Sequence, residues 1–243
     1  MPEWIAAGLA GLIAGGALLV GAVVGWFGRV PVPVVAGTMA FGAGVLISAL
    51  AFDLVLEAND EGGLMPTVMG FVVGAVAYVI ANQLLDRYDK RNPRGKGEDP
   101  GTGTGIAVGA LLDGIPESAV LGLSMIGGGG VSVPVLVAIV ISNFPEGLSS
   151  TAELKQAGRS ARYVFVLWTG IALVSAVSAI AGYVLLDGAP ATLTAAITAL
   201  AAGAILAMIC DTMIPEAFRT EGRITGLLAT FGFLLSFAVH QLA

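Results

Sequence analysis

Two Pro-Glu pairs lie inside long apolar stretches of this chain: Pro116-Glu117 within Leu-Leu-Asp-Gly-Ile-Pro-Glu-Ser, and Pro145-Glu146 within Ile-Ser-Asn-Phe-Pro-Glu-Gly. A proline in a helix removes one backbone donor and displaces the carbonyl four residues earlier, here Leu112 and Ile141, leaving oxygens that need a partner. A cation can be that partner. Glutamate is costly in hydrocarbon unless it faces a polar cavity, a counter-charge or a metal, so two such carboxylates beside two helix breaks point to an ion pathway. Asp113 and Glu117 are four residues apart and project from one helix face. Ser142 and Glu146 repeat that spacing, and Asn143 stands three residues before Glu146. Side by side, the two faces offer three carboxylates, an amide oxygen and a hydroxyl, an oxygen-rich cage for a divalent cation. The alternative is that the carboxylic acids are neutral and only hydrogen-bond between helices.

The elements that must position these groups are membrane helices. The 243 residues are 56% hydrophobic and 12% charged, with a mean hydropathy of +0.91. Soluble domains carry about 25% charged residues, so this is the composition of an integral membrane protein. With about 20 apolar residues per span, eight helices are expected: Trp4–Trp26, Val34–Glu57, Met65–Leu85, Gly103–Ile126, Val131–Glu153, Val164–Leu186, Ala191–Ile214 and Ile224–Leu242. They form a single polytopic all-α domain over residues 1–243, with a solvated, Gly- and Pro-rich connection at about 87–102. All 11 Lys and Arg fall in odd-numbered connections. The positive-inside rule makes that side the cytoplasm and places both termini outside, with Asp60, Glu61 and Asp187 on the outer face. Nothing basic precedes the first span, which reads as a retained helix rather than a cleaved signal. The expected location is the plasma or inner membrane, with lipid as the surrounding partner and no nucleic acid.

Other chemistries lack their residues. One cysteine, Cys210, excludes an intramolecular disulfide, and one histidine, His240, excludes His-pair metalloprotease motifs. No Gly-x-Gly-Asp surrounds Asp53, Asp113 or Asp211, and no Gly-x-Ser-x-Gly is present, so an intramembrane protease is not expected and the chain is read as a non-enzyme. Cys210 and the Met208/Met213 pair read as helix packing, His240 as interfacial. The glycines of the first helix, with Gly-x-x-x-Gly spacings, allow close helix approach.

The fourth and fifth spans resemble the metal-binding helices of the ZIP (Zrt-/Irt-like) transporters, whose patterns read approximately His-Asn-x-Pro-Glu-Gly and His/Gln-Asp/Asn-x-Pro-Glu-Gly. Here they read Asp113-Gly114-Ile115-Pro116-Glu117-Ser118 and Ser142-Asn143-Phe144-Pro145-Glu146-Gly147. Phe41–Leu46 followed by Asp53 and Glu57, and Ile214-Pro215-Glu216-Ala217, resemble the family's second and seventh spans. The resemblance implies a fold of three plus two plus three helices with inverted outer triplets. It also implies metal movement toward the cytoplasm, a homodimer, and a site of Asp113, Glu117, Asn143 and Glu146 with Ser142. Asp53 and Asp211 would line the route, each late in an apolar span, while Glu57 and Glu216 read as interfacial. The family's histidines are replaced by Asp113 and Ser142. Between Ile171 and Gly182 the only polar side chains suited to a second metal are Ser175 and Ser178, so one oxygen-dominated site is expected. Loss of nitrogen ligands widens the cargo from Zn to Mn, Fe(II) or Mg. The expected mechanism is an elevator-like or rocking motion, with Gly127 to Gly130 permitting helix movement. Two alternatives remain: a non-transporting metal sensor on the same scaffold, and a carrier of protons or organic cations.

Overall fold

A computed structural model of the chain describes residues 1–91, 104–219 and 224–242. Eight helices among the described residues are long and apolar enough to cross a membrane. We number them α1 (Glu3–Phe27), α2 (Val32–Gly62), α3 (Leu64–Arg91), α4 (Thr104–Leu123), α5 (Val133–Gln156), α6 (Ala161–Leu186), α7 (Ala191–Ala217) and α8 (Thr225–Leu242). No strand occurs among the described residues. This is the architecture that hydrocarbon demands, since each helix satisfies its own backbone polar groups. The expected connection at 87–102 lies mostly outside the described residues, and α3 runs into its first part, to Arg91.

Local chemistry sets the ends. Prolines 2, 31 and 190 precede α1, α2 and α7. The hydroxyls of Ser132 and Ser160 accept from the backbone N–H groups of Val135 and Tyr163, capping α5 and α6. The α4–α5 turn uses Gly127, Gly128 and Gly130 at φ of 91°, 86° and 74°, a region open to glycine at little cost.

The helices form two sets. One contains α1, α4, α5 and α6; the other contains α2, α3, α7 and α8. Four reciprocal glycine contacts hold the tightest pairs. A methyl group on Gly21 would overlap the Phe144 carbonyl, and one on Gly147 the Leu18 carbonyl, joining α1 to α5. Gly122 and Gly182 meet the Ala179 and Ala119 carbonyls between α4 and α6. Gly44 and Gly232 meet those of Ala229 and Phe41 between α2 and α8, and Gly74 and Gly203 meet those of Leu200 and Phe71 between α3 and α7. Exchanging α1 with α6, α2 with α7, α3 with α8 and α4 with α5 carries each contact onto another. The inverted relation of the outer triplets is therefore visible in the packing. With little hydrophobic force between helices in lipid, such close backbone approach is what holds them.

Two irregularities obey the same exchange. Helix α2 widens to π-helical geometry over Leu50–Val55, and α7 does so over Ile209–Met213. Asp53 lies in the first stretch and Asp211 in the second. Single π-helical turns are rare and gather at functional sites. Leu9, Ile13, Val72, Val76, Val166, Val177, Leu227 and Phe231 face outward as an apolar belt.

Candidate metal site

The periodicity of α4 and α5 delivers their polar groups to the interior between the two sets. Asp113 is 8% exposed and Glu117, one turn further along α4, is 1% exposed. On α5, Ser142 and Asn143 are buried and Glu146 is half-buried. The three carboxylates lie within electrostatic reach of one another.

Each group has a distinct surrounding. Asn143 donates Nδ2 to the Ala14 carbonyl at 2.9 Å, tying α5 to α1 and leaving Oδ1 as its acceptor atom. Ser142 donates its hydroxyl to the Ile139 carbonyl at 2.9 Å, turning back along its own helix. The Tyr78 phenol, on α3, donates to Asp113 Oδ1 at 2.9 Å. Both oxygens of Glu117 are buried without a hydrogen-bond partner. Burying a polar group without a partner is costly, and such exceptions call for an explanation. Trp168 Nε1 donates to Thr151 Oγ1 at 2.8 Å, fixing α5 against α6 just beyond the carboxylates.

A cavity of about 440 Å³ reaches Asp113 and Glu146 from the ends of α3, α4, α5 and α7. Leu85, Ile106, Glu153, Glu216 and Arg219 stand at its mouth, which is the end carrying the basic connections; Asp211, Thr212 and Asn82 line its wall. Arg219 bridges α5 and α7 there, donating to Glu216 at 2.9 Å and Glu153 at 3.0 Å. Those two hydrogen bonds, Glu216 first, hold its guanidinium above the ordinary range. Ser149 donates to the other oxygen of Glu216 at 3.0 Å. At the opposite end, Leu54, Glu57, Val120, Leu123 and Ser124 surround only about 20 Å³, room for about one water. Among the described residues, the larger of these two cavities thus lies at the end of the basic connections.

Asp53 and Asp211 part company. Asp211 is exposed to the open cavity. Asp53 is buried and lies 2.7 Å from His240 Nδ1 through Oδ1, while its Oδ2 has no partner. His240 is thereby joined to α2, a pairing the sequence reading did not contain. Cys210, expected in helix packing, is exposed. No three His, Cys, Asp or Glu side chains among the described residues lie close enough together to hold one ion. Sequence reasoning missed Tyr78 and Asn82; their spacing of four within a largely apolar span was the available signal.

No family model matches the chain. It is 31% identical over 182 residues to a protein of Arabidopsis thaliana named "Putative zinc transporter". The matched region covers 73% of this chain and 29% of that protein, so the chain spans less than a third of the relative's length.

Proposed function

We propose that this chain, whose resemblance to the ZIP (Zrt-/Irt-like) family is supported by its similarity to a protein named as a zinc transporter, is a membrane carrier of divalent metal ions. The observation that carries the reading is the cavity ending on Asp113 and Glu146, with the unpartnered carboxylate of Glu117 one turn deeper. An aqueous path that stops at paired carboxylates suits a cation as cargo. Asp113, Glu117, Asn143 and Glu146, with Ser142, are the ligands of this reading. An incoming ion would draw them together and supply the partner that Glu117 lacks.

Asp211 extends the path on the open side, and Asp53 stands at the corresponding place in the inverted repeat. The basic connections assign the open face to the cytoplasm by the positive-inside rule, which puts both termini outside and makes this an inward-facing state. Movement of metal toward the cytoplasm, across a plasma or inner membrane and in a homodimer, is carried over from the family resemblance. Sliding of the α1/α4/α5/α6 set against the other would close the cavity and open the opposite end. The oxygen-rich donor set suits Zn, Mn, Fe(II) or Mg.

A panel of these ions presented to proteoliposomes containing the chain tests the reading. Saturable, mutually competitive uptake supports it. Uptake of protons or organic cations with no competition from divalent ions contradicts it. A non-transporting metal binder is the second reading, favoured by the replacement of both family histidines by Asp113 and Ser142; binding without flux would select it.

A further inference from the structure

Tyr78 sits among apolar neighbours on α3 and is only 6% exposed. A buried phenol needs a hydrogen-bond partner, and phenylalanine would fill the same space without that requirement. The partner here is Asp113 Oδ1, at 2.9 Å. The hydroxyl therefore joins α3 to the carboxylate of α4 that lines the cavity. This has a chemical consequence for any cation bound by Asp113. A carboxylate can bind through one oxygen or through both, and a donor fixed on Oδ1 engages one of that oxygen's lone pairs and leaves Oδ2 free. Binding through both oxygens is characteristic of Ca²⁺, which accepts six to eight ligands in flexible geometry. Ions of stricter geometry, such as tetrahedral Zn²⁺ or octahedral Mg²⁺, are served by single oxygens.

We infer that Tyr78 is a positioning residue for selectivity: by occupying one lone pair of Asp113 Oδ1 it favours coordination through Oδ2 alone and disfavours large cations such as Ca²⁺ that use both oxygens. The inference rests on the reading of Asp113 as a metal ligand. It is tested by equilibrium competition of Ca²⁺ against Zn²⁺ on the purified full chain, which requires binding but no transport. Tyr78→Phe is expected to shift the competition toward Ca²⁺ by about tenfold, the factor expected from one hydrogen bond to a charged group. Asp113→Glu, which carries the carboxylate one methylene beyond the phenol's present reach, is expected to shift it the same way and serves if the phenylalanine variant fails to fold. An unchanged ratio, or equal weakening of both ions, overturns the inference. Asp113→Asn isolates the premise: unchanged binding removes Asp113 from the site, whereas lost binding together with an unmoved ratio in Tyr78→Phe overturns the selectivity role alone.

Discussion

His240 Nδ1 lies 2.7 Å from Asp53 Oδ1, joining the last turn of α8 to the π-helical stretch of α2 across 187 positions of sequence. Phe52 packs against the His240 ring with centroids 5.9 Å apart, and against Phe233 and Phe237 of the same helix. Removing the imidazole leaves a buried carboxylate with neither oxygen partnered, which costs about 1–3 kcal/mol. His240→Ala is therefore expected to lower the thermal midpoint in detergent, and His240→Ala/Asp53→Asn to recover part of the loss. Equal midpoints for wild type and His240→Ala would show that the pair contributes nothing to holding α8.

The eight spans were legible because hydrocarbon imposes a length and a composition that any apolar run reveals. The Pro-Glu faces of α4 and α5 were legible for a similar reason: spacings of three and four fix a helix face locally. What could not be read is rotation of one helix against another. Tyr78 meets Asp113 only because α3 is set by Gly74 and Gly203 against α7, and those contacts join residues far apart in the chain. The Asp53–His240 pair depends likewise on Gly44 and Gly232. The π-helical turns have no signature in residue type. Nor does hydropathy encode the unequal cavities at the two ends of the helices.

The glycine contacts are testable directly. Gly147→Ala would drive a methyl group into the Leu18 backbone, so α1 and α5 must separate; overpacking of this kind costs about 1–3 kcal/mol. Gly16 has no atom within 4 Å of an added methyl, so Gly16→Ala is expected to be neutral or slightly stabilising. Thermal unfolding of the two variants should separate them by several degrees. Indistinguishable curves would contradict the close packing of α1 on α5.

Arg219 is the one cation lining the cavity among the described residues, and its side chain is 61% exposed. Exposed pairs of this kind stabilise by about 0–1 kcal/mol, so Arg219→Gln should unfold almost as the wild type does. Its charge nonetheless opposes approach of a cation to the mouth. Apparent affinity for divalent ions is expected to rise about two- to fivefold at low ionic strength, an effect that shrinks in high salt as charges are screened. Titration calorimetry at two salt concentrations measures it, and weaker binding would mean that Arg219 organises the site rather than repelling its cargo.

Asp113→His restores a nitrogen donor where the ZIP pattern has one. Imidazole favours zinc over manganese or magnesium, so the competition order should move toward zinc. An unaltered order would argue that Asp113 does not touch the ion.

A carboxylate-lined metal path between α4 and α5 is tested by uptake into proteoliposomes containing wild type or the Glu117→Gln/Glu146→Gln variant at equal incorporation. Both substitutions keep shape and remove charge. Saturable divalent-metal uptake is expected in the wild type, and its loss in the double variant with folding intact; undiminished uptake in the variant would remove both carboxylates from the path.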